Sequence, residues 1–124
     1  MGVLRLMKHC LIVDDSNAIR TVARRILKRL DFEVTEAEIV EAGPGAYRKR
    51  TPDLVGLDLH IRDSAEFLAA MRPRLRRRVP KVIVCAIESD DPDIGEAMRT
   101  GADGFILKPF DREIVEARHN FAAV

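Results

Sequence analysis

The chain carries almost no net charge: 21 lysines and arginines stand against 20 aspartates and glutamates, a formal +1. Such a balance gives no general pull toward nucleic acid or an anionic membrane surface. Cysteine is scarce, and both copies, Cys10 and Cys85, sit in strand-like apolar runs. With one further strand between theirs they stand about 10 Å apart, at about 4.8 Å per strand. A disulfide needs Cα atoms within about 7 Å, so two reduced thiols are expected. No apolar run nears the roughly 20 residues of a membrane span. The segment 1–7 has one arginine and too short an apolar stretch for a signal peptide, and a cytoplasmic location is expected. Neither an internal repeat nor an interdomain linker is visible.

What the chain does have is apolar residue, 47% of 124, enough for one domain with a real core. Residues 1–7 read as a loose leader, with Met7 as an alternative start, and residues 8–124 as the domain. Its organising stretch is Asp53-Leu-Val-Gly-Leu-Asp58-Leu-His60. The apolar run before Asp58 reads as a strand buried on both faces, as in parallel sheets. Three other runs also end on chemistry. Cys10-Leu-Ile-Val13 meets Asp14 and Asp15, Phe105-Ile-Leu107 meets Lys108 and Pro109, and Val82-Ile-Val84 leads into Cys85. In an open α/β sheet the ligand site lies beyond the carboxyl ends of the strands. Three carboxylates and a lysine therefore converge there.

Helical patterns separate the strands. Ser16 is a good N-cap, and Ile19, Val22, Ala23, Ile26, Leu27 and Leu30 then recur on one apolar face. Arg20, Arg24, Arg25, Lys28 and Arg29 read as the solvated face. A second strand spans 33–37. The helix after it is late or broken, because Ala42-Gly-Pro-Gly45 interrupts it and runs into Tyr47 and Arg48. Asp63 or Ser64 caps a short helix carrying Phe67, Leu68 and Met71 inward, which Pro73 stops or kinks. The basic run Arg72–Arg78 reads as an exposed loop. Asp91 and Pro92 open another helix, with Ile94, Ala97 and Met98 inward, and Gly101 closes it. A strand at 104–107 and a helix at about 111–121 complete the chain. Five strands alternating with helices predict an α/β fold, a parallel sheet covered on both faces.

Two adjacent acids, a third acid and a lysine at strand ends suit one task. Hard oxygen ligands hold Mg²⁺, which often shares phosphate oxygens. A free carboxylate beside the ion can attack phosphorus, and lysine offsets the phosphoryl charge. On Ile12-Val-Asp-Asp-Ser16, Pro52-Asp-Leu-Val-Gly-Leu-Asp58 and Gly101-Ala-Asp-Gly-Phe-Ile-Leu-Lys-Pro-Phe110, the chain resembles the receiver domain of bacterial two-component response regulators. The resemblance runs from about Lys8 to Phe121. It implies a flavodoxin-like, doubly wound five-stranded parallel sheet of order 2-1-3-4-5. It implies that Asp58 accepts phosphate from a histidine kinase or phosphotransfer protein. Asp14, Asp15, Asp58 and the backbone carbonyl of His60 would hold Mg²⁺, and Lys108 would pair with the phosphoryl group, or with Asp58 in its absence. With no DNA-binding domain in this sequence, the expectation is a stand-alone receiver that switches binding to a downstream target protein. It would catalyse only its own phosphorylation and dephosphorylation.

Three positions depart from the family's pattern. Ile61-Arg-Asp-Ser64 is shorter than the usual turn after the acceptor. Cys85 stands at the switch position where the family has threonine or serine, and a thiol is a weak donor. The switch aromatic is Phe105, which lacks a hydroxyl. Phosphate is therefore expected to bias the domain less than in a threonine-bearing receiver. His60, two residues past the acceptor, lies on the same side of an extended chain, and two readings are open: it stands beside the phosphoryl group, or it points into solvent. The alternative reading is a degenerate receiver that binds partners without phosphorylation. A phosphohydrolase fits less well, since no second catalytic acid sits two residues from Asp58.

Overall fold

The computed structural model describes residues 8–38, 52–71 and 80–122. The broken helix expected across Ala42–Arg48, the basic run Arg72–Arg78 with Pro73, and the leader 1–7 lie outside the described residues. Among those described, the chain alternates strand and helix as β1 (Lys8–Val13), α1 (Asn17–Arg29), β2 (Phe32–Ala37), β3 (Leu54–Asp58), α2 (Ser64–Met71), β4 (Lys81–Ala86), α3 (Pro92–Thr100), β5 (Gly104–Leu107) and α4 (Arg112–Ala122). All four pairings are parallel, and the strand order is 2-1-3-4-5. The flavodoxin-like doubly wound sheet is thus observed.

Strand parity sorts the core into two layers. Leu11, Val13, Val55, Leu57, Val82 and Val84 face one way, packing with Phe67, Leu68, Met71 and Ala97 of α2 and α3. Cys10, Ile12, Leu54, Ile83, Cys85 and Ile106 face the other, with Ala23 and Leu27 of α1 and Val115 of α4. Asp14, Asp58 and Lys108 continue this second series by one step. That parity aims all three at the same corner of the sheet. In the centre of this layer Gly56 has no side chain to contribute. A cavity of about 70 Å³ opens there, lined by Ile12, Leu54, Gly56, Ile83, Cys85 and Phe110 among others.

Local signals explain most of the elements. Ser16 caps α1 by accepting from the Ile19 amide at 3.2 Å. Asp91 caps α3 with Pro92 in its first turn, and Gly101, at φ 136° in the left-handed region, ends it. Of the two residues expected to cap α2, Asp63 directly precedes it, whereas Ser64 begins it and donates its hydroxyl to the Leu59 carbonyl at 2.9 Å. β2 starts one residue earlier than expected, since Phe32 pairs with Lys8. The thiols are free. Cys10 pairs with Leu54 and Cys85 with Asp58, so they are offset along the sheet as well as across it.

Three side chains fall on the wrong face of the expected helices. Arg20, assigned to solvent, is 5% exposed, whereas Val22 and Met98, assigned to the core, are 40% exposed. Taking Ala23 as the middle of the buried stripe, Arg20 lies about 60° round the helix and Val22 about 100°. Position outranks polarity here because Arg20 finds partners for its donors underneath. Met98 follows Ala97 directly and is carried round α3 by the same step.

Candidate functional site

The site lies where β1, β3 and β5 end. Asp14 leaves β1 with its amide still bonded to Ala37 at 3.0 Å, and its Oδ1 accepts from the Ser16 amide at 2.9 Å. That short turn puts the rest of its carboxylate over the sheet edge. Asp58 ends β3, and its Oδ1 accepts from the His60 amide at 3.0 Å. Lys108 follows β5 with its amide on the Ala86 carbonyl at 2.8 Å and a cis bond to Pro109. Its Nζ reaches Asp14 Oδ2 at 2.6 Å and Asp58 Oδ2 at 3.3 Å.

Asp14 and Asp58 are 2% and 4% exposed; Asp15 is exposed. Burying carboxylates side by side is unfavourable unless positive charge or hydrogen bonds offset it. Lys108 supplies one positive charge against three acids. Burial by itself pulls its pKa down. The hydrogen bond that Lys108 donates to Asp14 and the charges of Asp58 and Asp14 more than reverse that, so the net shift is upward. The lysine is held cationic.

Carboxylate oxygens of Asp14, Asp15 and Asp58 lie within 4.8 Å of one another. On an octahedral ion with bonds of about 2.1 Å, neighbouring oxygens stand about 3 Å apart and opposite ones about 4.2 Å. An all-oxygen, acidic donor set of this spacing fits Mg²⁺ with small side-chain adjustments.

Cys85 pairs with Asp58 in the ladder and turns to the same layer. Burial first, then the charges of Asp14 and Asp58, push its thiol up to about 12, with Lys108 pulling the other way. Phe105 is not part of this corner. It has the opposite parity and packs, partly buried, against the α2–α3 layer. The structure thus brings Asp14, Asp15, Asp58, Lys108 and Cys85 together, with Phe105 on the far side of the sheet.

His60 has a partner that neither reading named. The chain turns at Leu59 and His60, with the Leu59 amide on the Cys85 carbonyl at 3.0 Å, so the alternation of an extended strand lapses. The imidazole Nε2 lies 3.0 Å from Asp91 Oδ2. After this turn the short segment stays ordered: Ile61 is buried and Asp63 takes φ 64°, a conformation Asp tolerates.

One contributor escaped the sequence reading. Arg20 Nη1 donates to the Asp14 carbonyl at 2.6 Å and Nε to Glu36 at 3.2 Å; Nη2 reaches Asn17 and Glu38. It fixes the backbone that presents Asp14 and Asp15. The available signal was its spacing: Arg20, Ala23 and Leu27 follow the three-and-four rhythm of the buried stripe.

Comparison with known proteins shows the family of the chain. Residues 10–120 match the family described as the response regulator receiver domain. The chain is 34% identical over 110 residues to the chemotaxis protein CheY of Listeria monocytogenes, covering 88% of this chain and 92% of that one. It is 37% identical over 114 residues to the KDP operon transcriptional regulatory protein KdpE of Escherichia coli, covering 90% of this chain but 49% of the regulator. The transcriptional regulators it matches are thus about twice its length. Among solved structures, the chemotaxis response regulator CheY4 of Vibrio cholerae superposes with a TM-score of 0.84 at 24% identity, covering 94% of this chain and 99% of that one.

Proposed function

From the premise that this chain belongs to the response regulator receiver domain family of bacterial two-component systems, we propose that Asp58 is its phosphoacceptor. A carboxylate oxygen of Asp58 attacks the phosphorus of a phosphohistidine on a kinase or phosphotransfer protein. The P–O bond forms as the P–N bond breaks, and the imidazole nitrogen keeps the electron pair and takes up a proton. Asp14, Asp15, Asp58 and the His60 carbonyl would hold Mg²⁺, which would supply positive charge to offset that of the phosphoryl oxygens.

The chain's own groups do the rest. The Asp58 Oδ1 is fixed by the His60 amide, leaving Oδ2 toward Lys108. Lys108 then offers its cationic Nζ to the incoming phosphoryl group. On this reading the protein catalyses only its own phosphorylation and dephosphorylation. It acts in the cytoplasm, through the binding of a downstream protein. No described helix is long and apolar enough to cross a membrane.

The observation that carries this is the single lysine bridging two buried aspartates from separate strands. Incubation with acetyl phosphate and Mg²⁺ tests it. One phosphoryl group per chain is expected, without steady turnover; sustained hydrolysis of small phosphate esters would mean a phosphohydrolase. Failure to take up phosphate would leave the binding-only receiver, the reading that Cys85 favours.

A further inference from the structure

We infer that His60 is a positioning residue that couples the phosphoacceptor to the first turn of α3 through Asp91. The inference rests on Asp58 being the phosphoacceptor and adds how its state reaches a helix. Two groups of His60 reach two different carboxylates. The backbone amide donates to Asp58 Oδ1 at 3.0 Å, and Nε2 lies 3.0 Å from Asp91 Oδ2. Asp91 is the N-cap of α3, its other oxygen accepting from the Asp93 amide at 2.9 Å. The path from acceptor carboxylate to helix cap therefore contains no step longer than a hydrogen bond.

Phosphorylation acts on the first step of that path. Once Asp58 is an acyl phosphate, neither of its oxygens carries the carboxylate charge. The bond from the His60 amide changes from charge-assisted to neutral and weakens. Leu59, by contrast, stays tied to the Cys85 carbonyl at 3.0 Å and to the Ser64 hydroxyl at 2.9 Å. Displacement is therefore passed to His60. Its imidazole has room to respond, being 47% exposed beside a cleft of about 420 Å³ lined by His60, Ile87, Glu88, Asp90, Asp91 and Pro92. The competing route through β4 is poor, because Cys85 offers only a thiol. What His60 loses or gains at Asp91 is felt at once by the capped amides of α3.

The test is an amide NMR titration of the full chain with beryllofluoride and Mg²⁺, in wild type, His60→Ala, Asp91→Ser and the double variant. Serine still caps a helix but is too short to reach His60. His60→Ala leaves the cap untouched and carries the test even if the cap variant is destabilised. Shifts around Asp14, Asp58 and Lys108 should persist in every variant. Shifts across Asp93–Met98 should fall by roughly half or more in each single variant and no further in the double, as for two ends of one link. Undiminished shifts along α3 in the single variants would overturn the coupling, as would losses that add in the double. If wild type shows no shift at Asp14, Asp58 or Lys108, the phosphoacceptor reading fails first and the coupling falls with it.

Discussion

The ε-amino group of Lys108 stands 2.6 Å from Asp14 and 3.3 Å from Asp58, so one cation from β5 holds together the carboxyl ends of β1 and β3. Neither acid could be buried so deeply beside the other without it. The lysine is both a structural tie and the group best placed to meet an incoming phosphoryl oxygen.

Removing that cation should therefore destabilise the domain and raise its dependence on metal. Lys108→Met leaves two buried carboxylates without their common partner, a loss on the order of 3–5 kcal/mol. Urea unfolding in chelator should show it. Added Mg²⁺ should then restore more stability to the variant than it adds to wild type, because the ion replaces the missing charge. Equal Mg²⁺ effects on both proteins would place the ion elsewhere.

Alkaline pH should unfold the protein early. Cys10, Cys85 and Lys108 all have folded-state pKa values above their ordinary ones. A raised folded value gives stability that is complete below the unfolded pKa and is lost as pH rises through the folded one. For Cys85 that window runs from the ordinary 9.0 to about 12. Stability from urea unfolding should fall across it in wild type and fall less steeply in Cys85→Ala. The same burial predicts very slow alkylation of the native thiol near pH 8, since little thiolate is present.

Gly56 is a place where the fold can be improved. A Cβ built there meets no atom within 4 Å, and alanine also lowers the entropy of the unfolded chain. Gly56→Ala should raise stability by about 0.5–1 kcal/mol, read as a higher urea midpoint at unchanged slope. A destabilised variant would mean the cavity is already filled by rearrangement.

Much of this was legible in the sequence because the chemistry falls at strand ends. Apolar runs closed by Asp14, Asp58 and Lys108 mark the C-terminal edge of a parallel sheet, and parity then gathers those groups without any knowledge of loops. The failures share a cause. Arg20 was given to solvent by its charge, although its position on α1 lies within the buried stripe and Glu36 waits on β2 to receive it. That partner comes from a different element, and helical periodicity does not reveal it. His60 lies in a turn past the end of its strand, where alternation no longer places a side chain. Its partner Asp91 lies across the sheet edge, at the start of α3. Contacts made between loops depend on the whole fold, and a local pattern carries little of that.

The central claim is that Asp58, assisted by Lys108 and a metal held by the neighbouring acids, takes up a phosphoryl group. Intact-mass measurement after incubation with acetyl phosphate tests it most directly, with wild type and Asp58→Asn compared in Mg²⁺ and in chelator. The account predicts a gain of one phosphoryl group by wild type in Mg²⁺, and none in chelator or in the variant. Equal phosphorylation of Asp58→Asn, or full phosphorylation of wild type without a divalent cation, would contradict it.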